Sequence, residues 1–136
     1  MNKIVVTSGY FNPLHVGHIR LLKNAKKLAD SGDGILIVIV NNDKQVKLKG
    51  SKAFQNEKER LEIIRSLRFV DAAVLSVDTD RTVKKTLRSL MPDCFAKGGD
   101  STNKNVPEMK VCKELNIQVV FGVGGDKIQS SSWLKK

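Results

Sequence analysis

Two histidines, His15 and His18, lie on either side of Gly17, and they are the only histidines among the 136 residues of the chain. Imidazoles three residues apart project to the same side of a helix, and each can donate a hydrogen bond to a phosphate oxygen. A helix that begins here also presents unpaired backbone N–H groups and the positive end of its dipole. The spacing therefore indicates a phosphate site in which the histidines stabilise charge that builds up in a transition state.

The same pair of residues allows two other interpretations. Histidines at the start of a helix can cap it, or be partly buried there, without any chemical role. They can also bind zinc, but no cysteine, glutamate or third histidine lies nearby in the sequence, so we expect no metal site. Cys94 and Cys112 are far from these histidines and lack the C-x-x-C spacing, which predicts two buried reduced thiols.

The hydrophobic pattern places the histidines after a buried strand of an α/β domain. Apolar runs rich in β-branched residues predict strands at residues 4–7, 35–40, 72–77, 94–96 and 117–121. Helical spacing of apolar residues predicts helices at residues 19–29, 56–68, 78–90, 106–115 and 130–136. Strands that alternate with helices predict one domain over residues 1–136, with a five-stranded parallel sheet and helices on both faces.

The predicted sheet also indicates the location of a binding site. In parallel sheets, ligands bind beyond the carboxyl ends of the strands, where the strand order reverses. Four loops follow strands in this way, at residues 8–18, 41–52, 97–105 and 122–132. In the first loop, Gly9 would let the backbone approach a ligand closely. The second is predicted as a lysine-rich loop.

The charge of the chain suggests an anionic ligand without choosing one. The net charge is +10, from 24 basic and 14 acidic residues, and nucleic acid, a nucleotide or a phosphorylated metabolite would fit it. Aromatic residues make up only 5% of the chain and do not interleave with the lysines, which argues against a nucleic-acid surface built on stacking. The longest apolar run is too short to span a membrane, and no signal peptide is evident. We expect a cytoplasmic protein that binds neither nucleic acid nor membrane.

Two motifs at opposite ends of the chain resemble those of a known family. Residues 9–18, GYFNPLHVGH, resemble the G-x-F-D-x-x-H-x-G-H signature of the cytidylyltransferase-like nucleotidyltransferases. Residues 129–135, QSSSWLK, are similar to the second signature of that superfamily, I-S-S-T-x-I-R. The resemblance covers essentially the whole chain. It implies a Rossmann-like fold and the transfer of a nucleotidyl group from a nucleoside triphosphate to a phosphorylated small molecule, with release of pyrophosphate.

The resemblance also implies roles for particular residues. His15, His18 and Lys49 would be catalytic. The nucleotide would be bound by residues of both motifs and of the loop after the fourth strand, which are Gly9, Tyr10, Phe11, Asn12, Gly17, Lys97, Gly98, Gly99, Asp100, Ser130, Ser131 and Ser132. The acceptor would be bound by Lys44, Lys47 and Arg68. Asn103 is a further candidate for the acceptor, although it lies where the chain departs from the family. The family further implies Mg²⁺, held mainly by the triphosphate and water, and a homodimer. Two positions depart from the signatures, because Asn12 replaces an aspartate and Lys135 replaces an arginine.

The nucleotide and the acceptor are indicated by a third motif. Residues 97–100, KGGD, resemble a loop of the sugar-phosphate adenylyltransferases that activate heptose 1-phosphate, and residues 41–50 are similar to their second loop. This favours ATP. The alternative is a cytidylyltransferase that uses CTP and glycerol 3-phosphate or a similar phosphoalcohol, and a second alternative is a non-catalytic binding module of the same fold. Asn103, Asn105 and Glu108 could bind sugar hydroxyls, or only shape a loop and cap the next helix.

Overall fold

The computed structural model describes residues 3–30, 33–98 and 106–123. Within them, strands and helices follow one another along the chain. The strands are β1 (Ile4–Gly9), β2 (Ile35–Val40), β3 (Ala72–Leu75), β4 (Cys94–Ala96) and β5 (Gln118–Val120). The helices are α1 (Val16–Asp30), α2 (Asp43–Leu48), α3 (Glu57–Arg65), α4 (Lys84–Leu90) and α5 (Met109–Glu114).

The five strands form one parallel sheet in the order β3-β2-β1-β4-β5. The chain runs outward from the central strand β1 through β2 to β3, and then crosses back to β4 and β5 on the other side of β1. The strand order therefore reverses between β1 and β4, so the loops after these two strands flank the crevice where ligands of such sheets bind. The predicted five-stranded parallel sheet is confirmed.

Alternate residues of the central strands pack on opposite faces of the sheet. Val5 belongs to a buried cluster that includes Leu22 of α1 and also residues of α3. Its neighbour Val6 belongs to a second cluster that includes Leu87 of α4 and also residues of α5. Helices thus cover both faces, as predicted, which explains why β1 and β2 are apolar on both sides.

A helix stands where the sequence predicts a lysine-rich loop. Oδ1 of Asn42 accepts a hydrogen bond from the Gln45 amide at 2.9 Å, and Oε1 of Gln45 accepts one from the Asn42 amide at 3.0 Å. This reciprocal capping box starts α2. The loop prediction is wrong because it followed the charge of the lysines and not the Asn-x-x-Gln spacing before them.

The predicted start of the fourth helix, at residue 78 or 79, is also wrong. The carboxylate of Asp78 is buried and accepts hydrogen bonds from the amides of Lys85 at 2.8 Å and Thr86 at 3.1 Å. The side chain therefore caps the helix from outside it, and α4 begins only at Lys84. Asp78 was predicted to lie in or next to the first turn, whereas residues 79–83 form a turn between it and the helix.

The other described elements lie where predicted, although β1 and α1 are longer than predicted and several others are shorter. Asn56 caps α3, as predicted, because its Oδ1 accepts a hydrogen bond from the Glu59 amide at 2.9 Å. The helix ends at Arg65 instead of residue 68, and β3 ends at Leu75 instead of residue 77. The predicted terminal helix lies outside the described residues. Among those residues, the structure contains no helix with the length and apolar character needed to cross a membrane.

Candidate active site

The two histidines cap the helix that they begin. Nδ1 of His15 accepts a hydrogen bond from the Gly17 amide at 3.1 Å, and Nδ1 of His18 accepts one from the His15 amide at 3.2 Å. The His15 carbonyl also accepts the Ile19 amide at 3.1 Å. These bonds form a reciprocal cap of the kind that serine and glutamate form in other proteins. The histidines therefore cap the helix, and this does not exclude a chemical role.

The capping bonds also determine which nitrogen of each ring carries a proton. Because Nδ1 accepts a hydrogen bond in both rings, we assign the proton of each neutral imidazole to Nε2. The rings of His15 and His18 stack with their centroids 3.8 Å apart and an interplanar angle of 21°. Two N–H donors thus lie close together at the connection between β1 and α1. Such a pair can bind neighbouring oxygens of a phosphate chain.

Both imidazoles are neutral near pH 7. Burial lowers the pKa of His15. Burial, and then repulsion by His15 and by Lys49, lowers the pKa of His18 to about 3. A neutral imidazole donates one hydrogen bond and carries no net charge. The histidines therefore act as neutral donors, and Lys49 supplies positive charge beside them.

Phe11 holds the histidine turn against the core. Its side chain is 2% exposed, and its backbone adopts a left-handed φ of 49°. Its ring meets the His18 ring at 73°, with the centroids 5.0 Å apart. A Cβ atom on Gly9 would lie only 2.7 Å from Cζ of Phe11. The space above Gly9 is thus filled by Phe11, so the structure explains this glycine by packing, and its predicted contact with the nucleotide stays a prediction.

Asn12, at the position where the family signature has aspartate, is fully buried. Its Nδ2 donates to the Lys52 carbonyl at 2.8 Å, and its Oδ1 accepts the Phe54 amide at 2.8 Å. An aspartate could accept the second bond but could not donate the first. Asn12 therefore positions the segment after α2 against the histidine turn. Both polar atoms of its side chain are used in hydrogen bonds to the protein backbone. This placement argues against the predicted contact between its side chain and the nucleotide.

Arg60 is absent from the predicted site residues, although it joins the loops that form the site. The side chain lies on α3 and is 1% exposed. Nη1 donates to the carbonyls of Tyr10 at 2.8 Å and Asn41 at 2.6 Å, and Nη2 forms an ion pair with Asp43 at 2.7 Å. Nε donates to the Gln55 carbonyl at 3.0 Å. The only signal in the sequence is an arginine four positions before a residue of the buried apolar stripe.

Helix α2 brings one of the predicted lysines to the site. Lys49 caps the carboxyl end of α2, and its Nζ lies 4.4 Å from the centroid of the Tyr10 ring, a cation–π contact. Its charge also acts on His18. Lys44 and Lys47 are exposed on α2, and their binding of the acceptor stays a prediction.

Arg68 lies at the amino ends of the strands, whereas the histidines lie at the carboxyl ends. It is exposed in the turn between α3 and β3. Three residues later, the Asp71 amide donates to the carbonyl of Leu36, near the start of β2. Since the histidines follow the carboxyl end of β1, the structure does not bring Arg68 together with them. This placement does not support the predicted contact between Arg68 and the acceptor.

Two more predicted residues follow β4, the strand next to β1. The Lys97 amide donates to the Val120 carbonyl at 2.8 Å, and its Nζ lies 5.2 Å from the centroid of the Phe95 ring. Gly98 is half-buried, and a Cβ atom there would lie 3.9 Å from Leu21 of α1. The remaining predicted residues lie outside the described residues, and these are Gly99, Asp100, Asn103, Ser130, Ser131 and Ser132.

The donor set of the site does not suit a metal ion. In residues 3–30, 33–98 and 106–123, no three histidine, cysteine, aspartate or glutamate side chains are grouped so that they could hold one. Cys94 and Cys112 are buried and free, as predicted. Burial, with the nearby charge of Glu108, raises the pKa of Cys112 to about 11, so this thiol stays protonated at neutral pH.

A parallel sheet whose strand order reverses beside a helix capped by two imidazole donors defines a phosphate-binding α/β domain. The family model described as cytidylyltransferase-like matches residues 6–133. The chain therefore belongs to the cytidylyltransferase-like family, and it is a nucleotidyltransferase. This confirms the family resemblance of the two sequence motifs.

Individual relatives agree with this assignment. The bifunctional protein HldE of Helicobacter pylori strain G27 is 41% identical over 124 residues, which cover 90% of this chain and 25% of that protein. The bifunctional protein HldE of Streptomyces coelicolor is 34% identical over 120 residues, or 87% and 25% of the two chains. The chain thus spans about a quarter of the length of these relatives.

A solved structure has the same fold. The lipopolysaccharide core biosynthesis protein from Thermoplasma volcanium superposes with a TM-score of 0.73 and 29% sequence identity. The match covers 93% of this chain and 98% of that one.

Proposed function

We propose that this chain transfers the adenylyl group of ATP to the phosphate of a sugar phosphate and releases pyrophosphate. The observation that carries the proposal is the stacked pair of neutral imidazole donors, His15 and His18, beside the charge of Lys49. The choice of ATP and of a sugar phosphate rests on the resemblance of residues 97–100 to the heptose 1-phosphate adenylyltransferases. The similarity to the bifunctional HldE proteins supports the same choice.

The proposed reaction is a displacement in line at the α-phosphorus. A phosphate oxygen of the acceptor forms a bond to this phosphorus, and the bond to the oxygen that bridges to the β-phosphate breaks. Pyrophosphate leaves with the electron pair of that bond. The Nε2–H groups of His15 and His18 donate to phosphate oxygens as their negative charge increases, and Lys49 adds positive charge. Catalysis then consists of positioning and charge stabilisation, without a covalent bond to the protein.

Magnesium is implied by the family, and the described side chains beside the histidines do not supply its ligands. They are a lysine, a buried amide and the imidazoles, whereas Mg²⁺ prefers carboxylate, phosphate and water oxygens. We propose that Mg²⁺ arrives on the triphosphate, where it neutralises phosphate charge. A homodimer and a cytoplasmic location are further proposals, on the same family resemblance and composition.

The test is a pyrophosphate-release assay with ATP and CTP against heptose 1-phosphate, hexose 1-phosphates and glycerol 3-phosphate. We expect release with ATP and one or more sugar phosphates, and none from ATP alone. Release only with CTP and a phosphoalcohol would show a cytidylyltransferase instead. Inactivity with every pair would overturn the transfer reaction and favour a non-catalytic binding module.

A further inference from the structure

A second polar cluster lies next to the histidines and centres on Tyr10. The ring of Tyr10 carries Lys49 on its face, with Nζ 4.4 Å from the centroid. The charge of Arg81 also acts on the hydroxyl at the other end of the same side chain. Burial raises the pKa of this hydroxyl, the charge of Arg81 opposes the rise, and the charge of Glu108 adds to it. Tyr10 therefore stands between two cations, with a carboxylate nearby.

The backbone around Arg81 is fixed although its side chain is exposed. It lies in the turn after β3, at the same edge of the sheet as the histidines. The buried side-chain amide of Gln45 donates to the carbonyls on both sides of Arg81, at Asp80 and Thr82, each at 2.8 Å. The Thr82 hydroxyl and amide also donate to the Asp80 carboxylate, at 2.6 and 2.9 Å. The backbone that carries the guanidinium is therefore in place before an anion binds, which reduces the freedom lost on binding.

No carboxylate among the described residues forms an ion pair with Arg81. The Tyr10 hydroxyl near Arg81 is neutral and does not balance the charge of the guanidinium, because burial raises the pKa of the hydroxyl. A guanidinium with donors left over is suited to a phosphate group, which it can contact with two parallel N–H bonds.

Glu108 completes the cluster from α5. Its side chain is 4% exposed, and its Oε2 accepts the amide of Val83, two residues after Arg81, at 3.0 Å. Its Oε1 is also excluded from water and has no hydrogen-bond donor in the part of the chain that the structure describes. Buried polar atoms without a partner are uncommon in native proteins, and each calls for an explanation. A ligand hydroxyl that displaces the atoms now covering Oε1 would supply the missing donor.

Lys49 links this cluster to the histidines. Its Nζ lies over the Tyr10 ring, and its charge also acts on His18. Two anions can therefore adjoin each other with Lys49 between them, one at the imidazoles and one at Arg81. A displacement in line requires this arrangement, because the attacking and the attacked phosphate must meet.

We propose that Arg81 binds the phosphate of the acceptor and that Glu108 accepts a hydrogen bond from one of its hydroxyl groups, so that this end of the site selects a phosphorylated polyol. The proposal rests on the proposed nucleotidyl transfer, for which it names the residues that choose the acceptor. The sequence left a contact between Glu108 and sugar hydroxyls open, and Arg81 is absent from the sequence motifs.

The test uses Tyr10, which is the only tyrosine of the chain and therefore reports on the cluster alone. The protein is labelled with ¹³C at the ζ carbon of tyrosine and titrated, without nucleotide, with heptose 1-phosphate, hexose 1-phosphates and glycerol 3-phosphate. We expect one or more of the sugar phosphates to shift the resonance saturably. In Arg81→Gln, the affinity for that sugar phosphate should fall by about tenfold or more.

Arg88→Gln is the matched control, because it removes an equal charge from an exposed arginine that pairs with Glu114 at 3.4 Å. Its affinity should stay within about twofold of the wild type. ATP affinity, measured by calorimetry, should change equally little in Arg81→Gln. A panel in which no sugar phosphate shifts Tyr10 would overturn the proposal, and so would an Arg81→Gln variant that loses ATP and sugar phosphate affinity alike.

The role of Glu108 is tested by acceptor discrimination. The ratio of kcat/KM for the active sugar phosphate to that for ethyl phosphate, which has no hydroxyl groups, should fall by about tenfold in Glu108→Gln. Thermal unfolding checks that this variant is folded, because an amide can still accept the bond from Val83. A ratio equal to that of the wild type would overturn the role of Glu108.

The two proposals fail in different ways. Pyrophosphate release that is insensitive to Arg81→Gln would overturn the acceptor site and leave the transfer reaction standing. A sugar phosphate that shifts Tyr10 through Arg81, but never yields pyrophosphate, would support the acceptor site and overturn the transfer.

Discussion

Asn12 and Lys52 are joined by a hydrogen bond of 2.8 Å between the Asn12 side-chain amide and the Lys52 carbonyl, across 40 positions of the sequence. With the bond from the Phe54 amide to Asn12, it holds the segment after α2 against the histidine turn. The departure from the aspartate of the family signature thus has a structural reason in this chain, which is the need for a donor.

Asn12→Asp should therefore destabilise this protein, although it restores the family signature. The carboxylate cannot donate to Lys52, and we expect the free energy of unfolding to fall by about 1–3 kcal/mol. Urea unfolding at pH 7 measures it. Asn56→Asp is the matched control, because Asn56 only accepts a capping bond and aspartate caps equally well. Equal losses in the two variants would contradict the importance of the donor.

The two histidines should titrate far below the usual range. Imidazole NMR signals are assignable because the chain has only His15 and His18. We expect His18 to stay neutral down to about pH 3 and His15 to titrate below its ordinary pKa of 6.5. A His18 signal that titrates near pH 6.5 would contradict the burial of this ring.

The same shift predicts how stability depends on pH. The folded state binds a proton at His18 less readily than the unfolded chain does, so between pH 3 and 6.5 the unfolded state binds more protons. The contribution is fully present above pH 6.5 and is lost as the pH falls through that window. Urea unfolding at several pH values should show this slope, and His18→Asn should reduce it.

Two substitutions of His18 separate its chemistry from its capping. Asparagine places an acceptor near the position of Nδ1 and keeps the bond from the His15 amide, but it lacks an Nε2–H donor. Glutamine places an amide near Nε2 and loses the cap. We expect His18→Asn to keep the stability of the wild type and to lower kcat by about a hundredfold or more. His18→Gln should be less stable than His18→Asn but more active than it. Steady-state kinetics and thermal unfolding check both, and the reverse order of activity would contradict the donor role.

Arg60→Ala should lower the free energy of unfolding more than the same substitution of an exposed arginine on α3 does. It leaves Asp43 and the carbonyls of Tyr10 and Asn41 without their partner, and we expect a loss of about 3–5 kcal/mol in urea unfolding. Arg65→Ala is the control, since Arg65 is exposed and makes one hydrogen bond, to a backbone carbonyl. Its expected loss is about 1 kcal/mol or less.

The sequence predicts those features of this molecule that depend on neighbouring residues. The sheet follows from apolar runs, and the cap of α3 follows from Asn56 and the acidic residues after it. The hydrogen bonds of Asn12 and Arg60 could not be predicted, because their partners are distant in sequence. Lys52 lies 40 positions from Asn12, and Tyr10 lies 50 positions from Arg60. The start of α4 was missed for a related reason, since Asp78 caps it from outside the helix. Helix α2 is the exception, because its capping box is local and was overlooked.

The contacts of the Arg60 guanidinium determine when, during synthesis and folding, the candidate nucleotide site can form. During synthesis the histidine motif is made before α3, yet the loops that carry Tyr10 and Asn41 gain their common anchor only after α3 has been synthesised and has docked. A fragment that ends before α3 would contain both histidines without the geometry around them. Binding of a nucleotide to this chain would therefore report that α3 has docked on the loops after β1 and β2, and not only that the motif is present.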